Sequence, residues 1–461
     1  MRVIDRYAMK RGNIPSLFSA LFVLQSRAAY SVMQRGKRES VLMSLLHVDQ
    51  LQPGMILEKN LMAFNGRFLL PRGIVLTEKH IQTMKVWGVV EASVEGNLSA
   101  EPLKEVAASI PVDVLQEAVR SLETLFPAIP SSSPMKEFYS VAMERTTTVL
   151  MRDRSKRGAS AQQPRSAPRR MSSAVPNLSV TAADLVSREL QLASLPDVYY
   201  RIMEVINSTR SSASHIAEAV GKDTSLLSRL LRLVNSAFYG FPSKIETVTR
   251  AVAIIGTREL STLALGVAAV QYFNDIPSEY VDMKSFWRHS VACGVYARLM
   301  ASEKIGVSEE RLFVSGLLHD LGKLVLFRQV PLSARNAIEL ALAKKIPLSE
   351  AEREILGFDH AYLGALLLRE WEIPSPLENA VRFHHSPLSS SSPLDPALLA
   401  SADALAMATG FGGSGSVVMP DISPEIWTET GLSPAVFQPV ILQGSRQIED
   451  ITNAFLGNGG T

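Results

Sequence analysis

The sequence predicts a mainly α-helical protein with one small β-rich segment towards its N-terminal end. Three observations predict this. Apolar residues recur at helical spacing in the second half, as in Val198, Ile202, Val205 and Ile206, and again in Leu226, Leu227, Leu230, Leu231 and Val234. The run Gly316 to Leu326 (GLLHDLGKLVL) reads as a buried helix carrying a histidine beside an aspartate. Between Val48 and Gly96 the pattern changes to short apolar runs broken by turn signals, with Asn65-Gly66 between two of them.

Composition sets the bounds. A chain of 461 residues has room for two or three domains. Its 46% hydrophobic and 20% charged residues are ordinary values for a protein with a sizeable core. A net charge of +2 gives no global attraction to nucleic acid. The single cysteine, Cys293, excludes a disulfide framework and fits a reducing cytoplasm.

Residues 1–42 combine a basic start, MRVIDRYAMKRGN, with a short apolar run, IPSLFSALFVL. The run is too short to span a membrane as a helix. A cleaved signal, an amphipathic surface helix and translated sequence upstream of a start at Met43 all fit. The last is favoured, because MSLLHVDQLQPGM opens a coherent segment at once.

Residues 43–97 form the expected small α+β accessory domain. Pro53-Gly54 is a turn, Asn65-Gly66 a hairpin turn, and Thr77 the cap of a helix whose apolar side holds Ile81, Met84 and Val86. VVEASVEG closes it as a strand. Residues 98–152 read as a helical connector. VDVLQEAVRSLETLF is its clearest amphipathic run and a candidate for pairing with the same helix of a second copy. Residues 153–177 then turn rich in Ser, Pro, Arg and Gln and read as a flexible basic linker. From Arg152 to Asn177 seven basic residues stand against one acid, which suits a solvated tether more than a phosphate-binding arm.

Order resumes at Leu178. Thr181 and Asp184 form a cap for the first helix. Asn235-Ser236 ends a helix, Tyr239-Gly240-Phe241-Pro242 is the turn after it, and Val248 to Gly256 is a further apolar helix. His215 fits a surface or cap position.

The chemistry concentrates further on. His319 and Asp320 lie among Leu317, Leu318, Leu321, Leu324, Val325 and Leu326. Two ionisable groups in so apolar a run are costly unless something pairs with them. A metal ion would do so; a His–Asp hydrogen bond inside a core would do so equally. Five of the eight histidines lie in this half: His289, His319, His360, His384 and His385. With Asp320 and with Asp403 in LLASADALAMA, the order is H, HD, H, HH, D. Imidazoles and carboxylates suit iron, manganese or zinc, and the absence of thiolates argues against a structural zinc cage.

This order is similar to that of the HD superfamily of metal-dependent phosphohydrolases. The region from about Leu185 to Thr409, the core of an expected domain over 178–461 with a C-terminal helical tail, resembles an HDOD domain, the HD-related output domain of bacterial signalling proteins. LASLPDVYYRIMEVINS, LVNSAFYG…AVAIIG, FWRHS, GLLHDLGKLVL, FDHAYLGALLLREWEIP and FHHSP carry the resemblance. LVNSAFYG…AVAIIG is the most specific of them, since catalytic HD enzymes do not share it. Residues 43–97 resemble, more weakly, the small N-terminal domain before some HD-GYP phosphodiesterases.

The resemblance implies an all-helical bundle and one or two divalent ions. His289, His319, Asp320 and Asp403 match the single-metal set. His360, His384 and His385 match the extra ligands of two-metal members, with Asp320 as the bridge. Lys323, in the HDxGK position, would offset charge on a phosphate or else serve as a surface or salt-bridge lysine; Arg382 is a weaker candidate for the phosphate. Were the protein an enzyme, Asp320 and Lys323 would be its catalytic residues. HHSPLSSSSPLDP stands where HD-GYP enzymes carry an acidic and arginine-bearing stretch and a Gly-Tyr-Pro signature, which argues against cyclic dinucleotide hydrolysis. The expected function is a cytoplasmic regulatory output module that binds a signalling protein, with a homodimer compatible and neither membrane span nor nucleic acid expected. The alternative is a metal-dependent phosphohydrolase of a nucleotide or cyclic dinucleotide. A nucleic-acid regulator using the basic linker is the third and weakest reading.

Overall fold

The structure is a computed structural model that describes residues 44–48, 51–62, 68–86, 89, 91–94, 110–157, 180–192, 197–208, 212–236, 238–241, 243–273, 276 and 281–456. The leader, the Asn65-Gly66 turn and most of the expected linker lie outside these residues. The chain divides into two compact units, one of residues 1–44 and 96–177, the other of residues 45–95 and 178–461.

The described part of the first unit is a helical hairpin of α2 (Val112–Leu122) and α3 (Ser133–Arg157). Val114, Leu115, Ala118 and Leu122 line one face of α2, as the amphipathic pattern requires. Phe126 closes the turn edge-on to Tyr139, with ring centroids 5.1 Å apart. Asp113 pairs with Arg154 across the hairpin. The linker was expected to begin at 153, but α3 continues to Arg157, because the Arg and Lys residues of this stretch are good helix formers.

In the second unit, residues 45–94 supply short strands β1 (Ser44–His47), β2 (Leu61–Met62), β3 (Phe68–Leu70) and β4 (Glu91–Val94), with α1 (Glu78–Val86) between the last two. β1 pairs with β4, and β2 pairs antiparallel with β3. Leu57, Leu76, Met84 and Val94 pack together at their centre. Thr77 Oγ1 accepts from the His80 N–H at 3.2 Å, capping α1.

The remainder of this unit is helical throughout its described residues. Its first half runs α4 (Ala182–Leu192), α5 (Asp197–Asn207), α6 (Ala213–Gly221), α7 (Thr224–Val234), α8 (Val248–Ile255) and α9 (Thr257–Tyr272). Thr181 and Asp184 cap α4 reciprocally, Ser212 and His215 form a capping box on α6, and Asp223 accepts two N–H groups at the start of α7. Asn235 ends α7 and bonds Leu231 O, Ile245 O and Ile245 N, which ties the end of α7 to Ile245.

The second half is built on α10 (Met283–Ala301), buried almost from end to end. Against it pack α11 (Glu309–Leu318), α17 (Leu394–Thr409) and α19 (Phe437–Leu456). α10 and α11 approach so closely at Gly294 and Gly316 that a Cβ on Gly316 would lie 2.5 Å from the Gly294 backbone. α12 (Leu321–Gln329) crosses α15 (His360–Glu370) at Gly322 and Gly364. α13 (Pro331–Lys344), α14 (Leu348–Leu356), α16 (Ser375–Phe383) and α18 (Pro424–Thr430) complete the bundle. The two halves are joined by an aromatic cluster: Tyr199 donates to Trp371 O, and Tyr272 meets Trp371 edge-on at 5.1 Å. Among the described residues no helix is long and apolar enough to cross a membrane.

One expectation changes here. Gly316 to Leu326 is not a single helix. α11 stops at Leu318, His319 is its C-cap, Asp320 sits at φ −99° and ψ 8°, and α12 starts at Leu321. Apolar periodicity runs unbroken across this junction, so the break is invisible in the pattern.

Candidate metal centre

The break places His319 and Asp320 at a corner between two helices, where their side chains meet residues from four other helices. His289 comes from the second turn of α10, which Asp282 caps by accepting from Lys284 N at 3.0 Å. Asp403 lies in the middle of α17. His360 is the first residue of α15, capped by Asp359, which accepts from Tyr362 N at 2.9 Å. His384 ends α16, and His385 follows.

All seven candidate ligands are brought to one cluster around Asp320. On one side, His289 Nε2 is 3.0 Å from Asp403 Oδ1 and 3.8 Å from Asp320 Oδ2. His319 Nε2 is 3.2 Å from Asp320 Oδ2 and 3.8 Å from Asp403 Oδ1. On the other, His360 Nε2 is 3.3 Å from Asp320 Oδ1 and 2.8 Å from His385 Nε2. His384 lies between, its ring centroid 5.2 Å from His319 and 5.6 Å from His360. Three sets of donor atoms lie within 4.8 Å of one another: His289, His319 and Asp403; His319, Asp320 and His384; His360, His384 and His385.

The chemistry of this donor set fits a metal. His319 Nδ1 lies 2.7 Å from Gly316 O and His384 Nδ1 2.7 Å from Val381 O. Each Nδ1–H donates to a carbonyl, which leaves the Nε2 lone pair facing inwards. His319 Nε2, His384 Nε2, His385 Nδ1 and Asp320 Oδ1 are buried with no hydrogen-bond partner. Orphaned acceptors in a dry interior are costly, and a shared cation removes the cost. His289, His319, Asp320, His360, His384 and Asp403 are each at most 6% exposed, and His385 is half-buried.

Lys323 is buried, not a surface lysine. Its Nζ is 2.9 Å from Asp320 Oδ2, 3.0 Å from Ser414 Oγ and 2.9 Å from Ser416 Oγ. Arg382 stands over the Tyr362 ring at 4.6 Å and engages there.

Sequence reading missed Glu352. This buried residue of α14 has its Oε2 2.5 Å from His360 Nδ1, and the same oxygen accepts from His360 N at 2.8 Å. It fixes the ring so that Nε2 points at Asp320. Its only sequence signal is its position eight residues before a histidine, which no periodicity rule picks out. Glu352→Ala should weaken divalent-metal affinity about 10- to 100-fold, and Glu352→Gln should recover part of it, as chelator competition would measure. Unchanged affinity in the alanine variant would remove Glu352 from this role.

The charges in the centre shape its protonation. Burial pulls the His319 ring down, but Asp320 and Cys293 together outweigh it and hold the ring well above the usual histidine range. Burial likewise opposes the charged His360, and Glu352 raises it. Burial beside His319 and His360 pushes His384 down to about 3, so this ring is neutral at neutral pH. Burial raises the Asp403 carboxyl, yet the His289 hydrogen bond and the nearby His319 and His289 rings together bring it down to about 2. A metal takes a neutral imidazole, so ion binding competes with protons at His319 and His360, whose hold on a proton is raised. Metal loading should release protons, and affinity should fall as pH falls, because these raised groups then bind protons in competition. Calorimetry in two buffers of different ionisation enthalpy tests this; affinity that rises on acidification contradicts it.

The fold and cluster define an all-helical domain built around a buried His/Asp centre. Residues 192–387 match the family model described as the HDOD domain, and the chain carries an HDOD domain there. The match includes every candidate ligand but Asp403, and it does not extend to residues 43–97. An uncharacterized protein of Treponema pallidum (strain Nichols) is 28% identical over 209 residues, which is 44% of this chain and 40% of that protein. The match therefore spans less than half the length of this curated relative. The crystal structure of an HDOD domain protein with unknown function from Geobacter sulfurreducens is similar at 20% identity and a TM-score of 0.46, covering 59% of this chain and 96% of that one.

Proposed function

We propose that this chain is a regulatory protein whose HDOD domain serves as a signalling output module and holds a closed centre of one or two divalent ions, iron, manganese or zinc. One observation carries the reading: seven imidazole and carboxylate donors converge, and six of them are at most 6% exposed. Structural metal sites fill every coordination position with protein, whereas catalytic ones keep a position open to water and substrate. A centre this enclosed suits stabilisation or sensing better than turnover. The ligands come from α10, the α11–α12 corner, α15, the end of α16 and α17, so a bound ion would lock these helices into one arrangement. The output would then be a protein-contact surface of the bundle, for a signalling partner or a second copy in the cytoplasm. Residues 43–97 are read as a small α+β accessory domain, supported by the shared packing of Leu57, Leu76, Met84 and Val94.

A second reading, a phosphohydrolase, is favoured by Lys323 beside Asp320. In that case the metal would supply an activated water and charge stabilisation, Asp320 would hold it, and Lys323 would face the phosphate. Metal content of the purified protein, measured with turnover of cyclic and linear dinucleotides, separates the two. Bound metal without turnover is expected. Turnover that follows metal content establishes the second reading, and a metal-free protein that takes up no divalent ion defeats both.

A further inference from the structure

The segment 410–416 (GFGGSGS) leaves the ligand-bearing helix α17 and runs from the start of α10 to Lys323. Gly410, Gly412 and Gly415 adopt φ of 60°, 76° and 93°, a region that residues with a Cβ enter only at a cost. Gly412 lies against Ser285 O and His289 N so tightly that no Cβ would fit, and Gly413 N donates to Ser285 O at 3.2 Å. The segment is thus laid on the very turn of α10 that presents His289. It ends on Lys323, where Ser414 Oγ and Ser416 Oγ take two of the three ammonium protons at 3.0 and 2.9 Å. Asp320 takes the third. Lys323 is 2% exposed and Ser414 1% exposed, while Ser416 is part-buried.

A buried ammonium is served best by charged oxygen acceptors, whose hydrogen bonds are roughly twice as strong as those of neutral ones. Here it receives one carboxylate and two neutral hydroxyls, and both hydroxyls come from a glycine-hinged segment rather than from a helix. Resting on the metal-centre reading, we propose that residues 410–416 are a strap whose Ser414 and Ser416 hydroxyls occupy the places of two phosphoryl oxygens at Lys323. The strap keeps the centre closed to phosphate and phosphoesters, and lifting it opens an anion site made of Lys323 and the metal face of Asp320. This accounts for how one constellation can be both largely enclosed and equipped with a lysine suited to phosphate.

The probe is inorganic phosphate, titrated calorimetrically into the full chain with and without added manganese. Ser414→Ala/Ser416→Ala removes both neutral acceptors and leaves Lys323 short of partners. This variant should bind phosphate at least tenfold more tightly than the parent, and adding Lys323→Met should cancel the gain. No gain, with metal content equal to the parent's, overturns the strap. Failure of the parent to take up metal defeats the metal-centre reading instead, and the metal-free titration still reports on Lys323. A further measurement needs no variant: hydrogen exchange of the 411–416 amides in the parent should accelerate when saturating phosphate is added. Unchanged exchange at a phosphate concentration that binds overturns the proposal, whatever the double variant does.

Discussion

Asp320→Ala should empty the metal centre and destabilise the domain in the same step. Asp320 is the one carboxylate among the candidate ligands that faces both halves of the cluster: Oδ2 lies near His319 and His289, and Oδ1 near His360. Without it the remaining donors divide into two sets with no common anion. The metal-free protein suffers too, because the Lys323 ammonium and the His319 ring lose their shared carboxylate in a dry interior. Breaking a buried ion pair from one side costs about 3–5 kcal/mol. Loss of a bound ion removes about a further 3–4 kcal/mol if the free ion is present at 100 to 1,000 times its dissociation constant. Elemental analysis should show metal content near zero, and denaturant unfolding should show a larger loss in metal-containing buffer than in chelator. Asp320→Ala/Lys323→Met should recover part of the chelator-buffer loss, since the uncompensated charge is gone. Full metal content in the single variant would show that the ion is held elsewhere.

Gly322→Ala should be nearly as damaging, for steric rather than electrostatic reasons. A Cβ there would run into His360 O and stand 2.8 Å from His360 C and 2.9 Å from Gly364 N. All three are backbone atoms of α15, so no side chain can rotate aside. The first turn of α15 must retreat from α12, and His360 is its first residue. Overpacking costs about 1–3 kcal/mol in ordinary cores, and a backbone clash belongs at or above the top of that range. The retreat also pulls His360 Nε2 from Asp320 and His385, so a centre holding two ions should keep at most one. Gly221→Ala is the matched control: a Cβ there meets nothing within 4 Å, and stability should stay within about 0.5 kcal/mol of the parent. Equal behaviour of the two variants would mean that the α12–α15 contact is looser than this geometry.

The helical character of 178–410 was legible in the sequence because it depends on local regularities. Apolar residues at three- and four-residue spacing mark helix faces, and Thr181, Asp184 and Gly256 mark ends whose reasons are steric or hydrogen-bonded within a few residues. The chemistry of the cluster was legible as well, since the desolvation cost of His319 and Asp320 in a run of leucines is a property of composition. Other features depend on contacts between segments far apart in the chain, and only tertiary structure decided them. The corner at His319–Asp320 exists because α11 packs on α10 and α12 crosses α15 at paired glycines, a fit that no window of sequence contains. Glu352 becomes the anchor of His360 only because α14 and the start of α15 fold back together. Lys323 fits a surface, salt-bridge or phosphate role by sequence alone, yet two serines more than ninety residues downstream and Asp320 together pair its charge in the interior. Local sequence sets which groups need partners; the packing of distant helices sets which partners they receive.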